Sequence, residues 1–517
     1  MPPQDATQKP PNLVGAIDIG SNSIRMLIAQ VLPDGQIETL ESLQRPVRLG
    51  QDTFRRERLS GQTMRAAVAI LRDFRRLLDS YGVRQIRTVA TSAVREARNS
   101  DTFLDRILMA TGLDVAVIDT SEESRLMVAA VRQAAGKAIS SRMRRTLVAE
   151  VGGGSTLLTL LHRGEIESSL SLRLGAVRLQ ESLGTSYETP ARSAGMLRER
   201  IASDIASLQT TVPLKGISTL VAVGDDARFM AERVGSPLGE GLYAIPADEF
   251  GRQTARCASQ SADDLVRQYG LPYPEAETLV PALLVYEALL RVTRARRVIV
   301  TDVSMRDGLL LDVVRSATGQ EDLSLTEGVL HSAAAVAEKY RVDTRHARHV
   351  GDTALRLFDD MAADHGLSRR HRLLLETAAM LHEAGSYVSN RAHHKHSYYL
   401  IANSEIFGLT RNELEIVAQV ARYHRQAMPK PTHLPYMALP RDQRMVISKL
   451  AALLRVADAL DQGHQQRIRE VRCKRGDEEL TLQVAASGDL ILEARSLEAK
   501  GDLFEEIYGL KVHLEDM

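Results

Sequence analysis

Residues 18–25 read DIGSNSIR, and the chain on either side of them decides the fold. Ahead of them, LVGAIDI (13–19) is a short, nearly unbroken apolar run ending at Gly20, the pattern of a buried strand feeding a tight turn. Behind them, SIRMLIAQV (23–31) reads as a second strand, and Pro33-Asp34-Gly35 turns the chain back. This opening predicts a hairpin rather than a crossover. The same outline returns at Thr146, in TLVAEVGGGSTLLTLLHRGEIESSLSL. Ile17-Asp18-Ile19-Gly20-Ser21 pairs with Ala149-Glu150-Val151-Gly152-Gly153, which predicts two related α/β domains.

Working outward, residues 60–79 place Met64, Val68, Leu71 and Leu78 near helical spacing, with Ser60 positioned to cap. IRTVA (86–90) returns to strand, Asn99, Ser100 and Asp101 open a helix, and VAVID (115–119) leads into a charged helix near Glu122. Further strand-turn signals stand at TLVAVGDDARFM (219–230) and RRVIVTDVSMRDGLLLDVV (296–314). RSATGQED (315–322) is polar and turn-rich and marks the best boundary. From 326 to 465 the apolar residues recur at three- and four-residue steps, so helices without strands are expected. ELTLQVAASGDLILEARS then alternates as a hairpin, FEEIYG reads as a short helix and LKVHLED as a closing strand. The expected limits are a loose tail (1–12), α/β domains at 13–135 and 136–314, a helical domain at 323–465 and a small α/β cap at 466–517.

The composition bounds the function. Of 517 residues, 44% are hydrophobic and 26% charged, so a mainly disordered chain is excluded. Lys plus Arg and Asp plus Glu both number 66, which argues against a globally basic nucleic-acid binder. Two cysteines, Cys257 and Cys473, are too few for a disulfide framework or a cysteine-built metal site, and a reducing cytoplasm is the expected setting. No stretch approaches the roughly 18 apolar residues of a membrane span.

Three constellations carry chemistry. At Gly20 the missing side chain lets backbone donors approach a phosphate; Ser21, Asn22 and Ser23 add polar donors, and Asp18 can accept a proton or hold hydrated Mg²⁺. Gly152, Gly153 and Gly154, followed by Ser155, suit an anion-cradling turn; neither a Walker loop nor a dinucleotide fingerprint fits the flanking pattern. A sharp hairpin rich in small residues would read the same way in both places. Glu122 and Glu123 follow a strand and open a helix, where acids either favour the helix N-terminus or act as a base on water.

Taken together, DIGSNSIR, ATSAVREARN (90–99), SEESRL (121–126), EVGGGS (150–155) and SLRLGAVRL (171–179) resemble the exopolyphosphatase / guanosine pentaphosphate phosphohydrolase family. That family belongs to the superfamily of actin, hexokinase and heat-shock ATPases. The resemblance continues through VSMRDGLL (303–310), HARHVGDTALRLFD (346–359), LHEAGSYVSNRAHHKHSYYLI (381–401), RYHR (422–425) and LRVADALD (454–461). It implies two tandem actin/ribonuclease-H-like domains, an all-helical His-Asp-like domain and a small α/β C-terminal cap.

The implied activity is release of terminal phosphate from inorganic polyphosphate by Mg²⁺-assisted attack of water, with Mn²⁺ as a substitute ion. Guanosine pentaphosphate is the alternative substrate, and a catalytically degenerate polyphosphate or alarmone sensor is a further alternative. The resemblance maps the catalytic glutamate onto Glu122, with Glu123 next. Phosphate-binding positions fall on Gly20, Ser21, Asn22, Ser23, Arg95, Gly152, Gly153, Gly154 and Ser155, and metal-associated acids on Asp18 and Glu150. A homodimer is implied, with neither nucleic acid nor membrane as partner.

Three positions depart from the family pattern. Glu150 stands where Asp is usual, Leu157 where Glu is common, and Gly224-Asp225-Asp226 where Gly-Gly-Thr is usual. Two acids beside a polyanion repel it unless a cation intervenes. In the helical region His346, the His382-Glu383 pair and Asp458 resemble a His-Asp metal set whose doublet has become His-Glu. With His393, His394, Lys395, His396, His424 and Arg425 nearby in sequence, an anion-binding face or a hydrogen-bonded junction is expected ahead of a metal site. Local positive regions are expected from Arg95, Arg142, Arg144, Arg145, Arg345, Arg348 and His393–His396, with Asp225 and Asp226 intruding near the cleft.

Overall fold

In the computed structural model, β1 (Asn12–Ile19) and β2 (Ser23–Val31) form the expected hairpin. Their register sets Asp18 opposite Arg25, and a hydrogen bond of 3.1 Å from the Gly20 N–H to the Ser23 carbonyl closes the turn. β3 (Ile37–Pro46) extends this antiparallel meander; β4 (Gln85–Ala90) and β5 (Val115–Val117) join in parallel, giving the order β3-β2-β1-β4-β5. Alternation along the strands divides their apolar residues between two cores. Ile17, Ile19, Ile24 and Met26 face Met64, Leu71 and Leu78 of the helix Gly61–Tyr81, whose N-terminus Ser60 caps by accepting from the Thr63 N–H. Val14, Ala16 and Leu27 face Leu309 and Leu310 of the helix Met305–Thr318.

The second sheet repeats the plan. β6 (Arg145–Val151), β7 (Thr156–His162) and β8 (Glu165–Leu172) form a meander whose first turn is closed by a Gly152 N–H to Ser155 carbonyl bond of 2.9 Å. β9 (Thr219–Val223) adds in parallel beside β6, β10 (Ser236–Gly239) and β11 (Leu242–Pro246) form the far antiparallel edge, and β12 (Arg297–Thr301) lies between β11 and β9. The helix Met305–Thr318 returns to the first sheet, and a Cβ on its Gly308 would lie 2.1 Å from the Leu126 carbonyl oxygen. The two halves are therefore joined by closely packed helices.

The chain divides into two compact units, Met1–Leu323 and Ser324–Met517. The second is helical as far as Ala459 and ends in a sheet of β13 (Ile468–Arg475), β14 (Glu479–Ala486) and β15 (Lys511–Asp516), in the order β13-β14-β15. One local expectation is corrected here. The hairpin partner of β14 is β13, which precedes it, whereas the residues after Asp489 form the helix Ile491–Lys500. Their alternation competes with good helix formers (Leu, Glu, Ala, Arg), and the Asp489 carboxylate accepts from the Ile491 N–H at the helix start. The structure describes residues 12–32, 35–139, 145–209, 214, 216–318 and 323–516; the tail before Asn12, Pro33-Asp34, Arg142, Arg144 and part of the 315–322 boundary lie outside them. Among the described residues, no helix is long and apolar enough to cross a membrane.

Candidate active site

β1 and β6 are followed on one side by parallel neighbours, and ligands gather beyond the carboxyl ends of such strands. Here both glycine turns line one cleft of about 150 Å³, room for a phosphoryl end of a substrate or a small cluster of waters. The second turn approaches the first very closely. A Cβ on Gly153 would sit 2.9 Å from Ser21 Cβ, and one on Gly154 would sit 2.1 Å from Ser92 Oγ and 2.6 Å from Phe54 Cζ. None of Gly152, Gly153 or Gly154 has a positive φ, so contact between the halves requires these glycines, not backbone strain. Their carbonyls are taken on one side, by the N–H groups of Ala176 and Arg178 and by Arg178 Nε. In planar trans peptides this turns the N–H groups of Gly153, Gly154 and Ser155 the other way.

Six acids line the cleft: Asp18, Glu123, Glu150, Asp225, Asp226 and Glu275. Glu123 stands in the first turn of the helix Thr120–Ile139, is 6% exposed, and accepts from Arg95 Nη1 at 2.7 Å. Burial pushes its carboxyl up to about 7 against the pull of Arg95. Glu122 precedes it by a rotation of about 100° on the helix and points elsewhere. It accepts from Arg87 Nη2 at 2.8 Å and from Arg125 Nε at 2.7 Å, in a network that also binds Asp312. The mapping puts Glu122 first and Glu123 next; Glu123 lines the cleft and Glu122 does not.

Asp18 is buried with Oδ1 lacking a hydrogen-bond partner; burial raises its carboxyl while Arg25 and Arg306 lower it. Glu150 is pushed up to about 7, first by burial and then by the charges of Glu123 and Asp18. Asp226 reaches about 7 through burial. Asp225 also reaches the cleft, where Arg25 and Arg228 both pair with its carboxylate.

The expected phosphate donors are largely engaged within the protein. Ser21 and Ser92 share a hydroxyl hydrogen bond of 3.1 Å, Asn22 Nδ2 donates to the Pro274 carbonyl at 3.1 Å, and Ser23 Oγ accepts from Arg25 Nε at 3.0 Å. Arg95 holds Glu123 and the Ile118 carbonyl and does not line the cleft, so its geometry is that of a positioning group rather than a direct clamp. Arg25 was not singled out from the sequence. Its signal was there, since a four-residue turn sets it directly opposite Asp18. Arg306, inside VSMRDGLL, is lowered to about 10 by burial and by Arg25, with Asp18 opposing.

The second unit holds a separate polar cluster. Ligand atoms of His346, His382 and Glu383 lie within 4.8 Å of one another, an arrangement compatible with a divalent ion. Beside it lies a pocket of about 360 Å³ lined by Glu383, His393, His424, Arg425, Asp458, His464, Arg495 and Lys500, among others. His393 Nε2 and His424 Nε2 are 3.0 Å apart. His394, Lys395 and His396 do not line this pocket; successive residues on the helix His393–Ala402 face different ways. His464 and Lys500, which do line it, were missed because they stand in no motif.

Residues 27–317 match the Ppx/GppA phosphatase family, and residues 330–506 match domain III of that phosphatase. The chain belongs to the Ppx/GppA phosphatase family. Curated relatives include the guanosine-5'-triphosphate,3'-diphosphate pyrophosphatases of Vibrio vulnificus, 26% identical over 483 residues (92% of each chain), and of Vibrio parahaemolyticus, 26% identical over 423 residues (80% of this chain, 81% of the relative). Among solved structures, an exopolyphosphatase from Cytophaga hutchinsonii matches with a TM-score of 0.53 at 23% identity, over 59% of this chain and 98% of that one, a likeness of fold.

The Ppx/GppA resemblance implies Mg²⁺, and the cleft suits it. Asp18 Oδ1 lacks a partner, Glu150 and Asp226 are raised by burial, and all are hard oxygen ligands. The departures have local consequences. Leu157 faces Glu150 across β6 and β7, leaving it with no cross-strand cation. Asp225 meets two guanidinium groups rather than confronting substrate with bare charge.

Proposed function

We propose that the cleft hydrolyses the terminal phosphoanhydride of guanosine 5'-triphosphate 3'-diphosphate. The convergence of Glu123, Asp18 and Glu150 between the two glycine turns carries this reading. In the step, a water oxygen bonds to the terminal phosphorus as the bridging P–O bond breaks. Glu123 takes the water proton, and inorganic phosphate leaves together with the shortened nucleotide. A base with pKa near the working pH is suited to this task, and Arg95 keeps the carboxylate oriented. Asp18 and Glu150 would hold Mg²⁺, which when bound supplies positive charge to the phosphoryl oxygens. The backbone N–H groups of Gly153, Gly154 and Ser155 would stabilise charge on the transferred group.

The names of the Vibrio relatives favour the nucleotide over inorganic polyphosphate. Of the arginines expected to give local positive regions in the first unit, Arg95 is ion-paired with Glu123 and Arg145 with Glu167, while Arg142 and Arg144 lie outside the described residues. The test is phosphate release from guanosine pentaphosphate and from long polyphosphate with Mg²⁺, by the native chain and Glu123→Gln. Higher kcat/KM on the nucleotide, lost in the variant, is expected. A preference for polyphosphate would move the assignment to that substrate; binding of either without release would make the protein a sensor.

A further inference from the structure

Tyr286, on the helix Tyr273–Thr293, is fully buried, and its ring meets that of Phe250 edge-on, with centroids 6.3 Å apart. A phenylalanine would fill that space as well, and burying a hydroxyl is costly unless it finds partners. The Tyr286 hydroxyl donates to the Val223 carbonyl at 2.7 Å and accepts from the Val151 N–H at 3.1 Å. Parallel pairing of β6 with β9 runs from Thr146 opposite Thr219 to Glu150 opposite Val223 and ends there. One side chain from the covering helix thus ties the carboxyl ends of two neighbouring strands.

Those strand ends lead directly into the cleft. Glu150, Val151 and the glycine turn on one strand, and Gly224, Asp225 and Asp226 after the other, line the cleft; Tyr286 does not. Gly224 turns the chain with a φ of +113°, and a Cβ there would lie 4.0 Å from the Tyr286 oxygen, so the second loop passes close to the hydroxyl. Burial holds the phenol well above its ordinary value, and the charges of Asp226 and Glu150 add to this against the Val151 N–H, so the proton stays on the oxygen and goes on donating. Asp225 in turn pairs with Arg25, which faces Asp18 across the β1–β2 hairpin. A shift of the Gly224 loop therefore reaches the acid of the first half.

We propose that Tyr286 is a positioning residue for the cleft: its hydroxyl sets the spacing between the Glu150 turn and the Gly224–Asp226 loop without touching substrate. The effect on rate rests on the hydrolase reading; the tie itself does not. Without the hydroxyl, the Val151 N–H and the Val223 carbonyl lose a shared partner in the protein interior, and the two loops are free to move apart.

The test uses full-length Tyr286→Phe, which keeps the ring and its packing. For phosphate release from guanosine pentaphosphate, kcat should fall roughly 10–100-fold, the scale of a misplaced reacting group, with KM changed less than about twofold. Ile205→Ala, a core change away from the cleft, should lower the melting temperature without moving kcat. Amide hydrogen exchange in Glu150–Ser155 and Gly224–Asp226 of the phenylalanine variant should speed by about tenfold or more, with the helix Gly61–Tyr81 unchanged. Native kcat in Tyr286→Phe would overturn the proposal, as would unchanged exchange in those two segments. If the native chain releases no phosphate, the hydrolase reading fails while the exchange comparison still decides the tie. If the variant fails to fold, the Val151 amide of the native protein decides: slow exchange supports the tie and rapid exchange refutes it.

Discussion

The two halves of the first unit share a strand, a four-residue turn and a returning strand, yet they contribute different chemistry. In the first half the turn is flanked by a cross-strand pair of opposite charge, Asp18 and Arg25, and contains a single glycine. In the second half the corresponding pair is Glu150 and Leu157, and three glycines form the turn. The first half supplies charge. The second supplies close approach, since side chains on Gly153 or Gly154 would collide with Ser21, Ser92 and Phe54. The two turns thus share a backbone frame but differ in what each requires, and Glu150, without a facing cation, is pushed up to about 7 by burial and by Glu123 and Asp18.

The sharpest break in the comparison lies at the helix start that serves both turns. Glu123→Gln is expected to lower kcat by ~10³-fold, within the range of a lost general base. Glu122→Gln should instead cost about 1–3 kcal/mol of stability through its weakened hydrogen bonds to Arg87 and Arg125, with kcat nearly retained. Steady-state phosphate release and chemical denaturation separate the two. The turns themselves come next. Gly154→Ala must push the halves apart and should lower kcat/KM by ~10²-fold, as misplacing reacting groups by an ångström does. Gly20→Ala, whose Cβ would meet the Ser23 carbonyl at 3.1 Å and Asp18 Oδ2 at 3.9 Å, should cost far less.

Proton linkage gives a third test. Glu123, Glu150 and Asp226 each titrate near 7 in the folded protein, above their ordinary values, so between those values the folded state binds more protons than the unfolded chain. Stability of the metal-free protein should therefore fall as pH rises from roughly 4 to 7, and added Mg²⁺ should restore it most at the upper end. A melting temperature that rises over this interval without Mg²⁺ would refute the clustered-acid account. The smallest effect is expected at Asp225. Asp225→Asn releases Arg25 and Arg228 toward substrate phosphate, and KM should drop by about threefold, since charge-assisted bonds strengthen when a competing carboxylate is removed.

Much of this is legible in the sequence. The apolar runs at 13–19 and 146–151, the glycine turns and the shift to helical spacing after 326 are local signals, set by strand alternation and turn chemistry. At the late hairpin the two signals conflict, since ILEARS alternates like a strand while its residues favour helix, and helix forms. The set His346, His382 and Asp458 is named by the resemblance, but its separations depend on how three helices pack and which nitrogen each backbone carbonyl or aspartate engages.

By itself, the sequence determined the duplicated strand-turn-strand frame, because each turn is encoded within about ten contiguous residues. It also determined that acids and glycines would end these strands. Only the tertiary structure decided which acid serves the cleft. Adjacent helical residues diverge by about 100°, and the packing of the helix Thr120–Ile139 sends Glu123 inward and Glu122 to Arg87 and Arg125. It likewise decided that Arg25 meets Asp225, a partner 200 residues away that no local pattern could name.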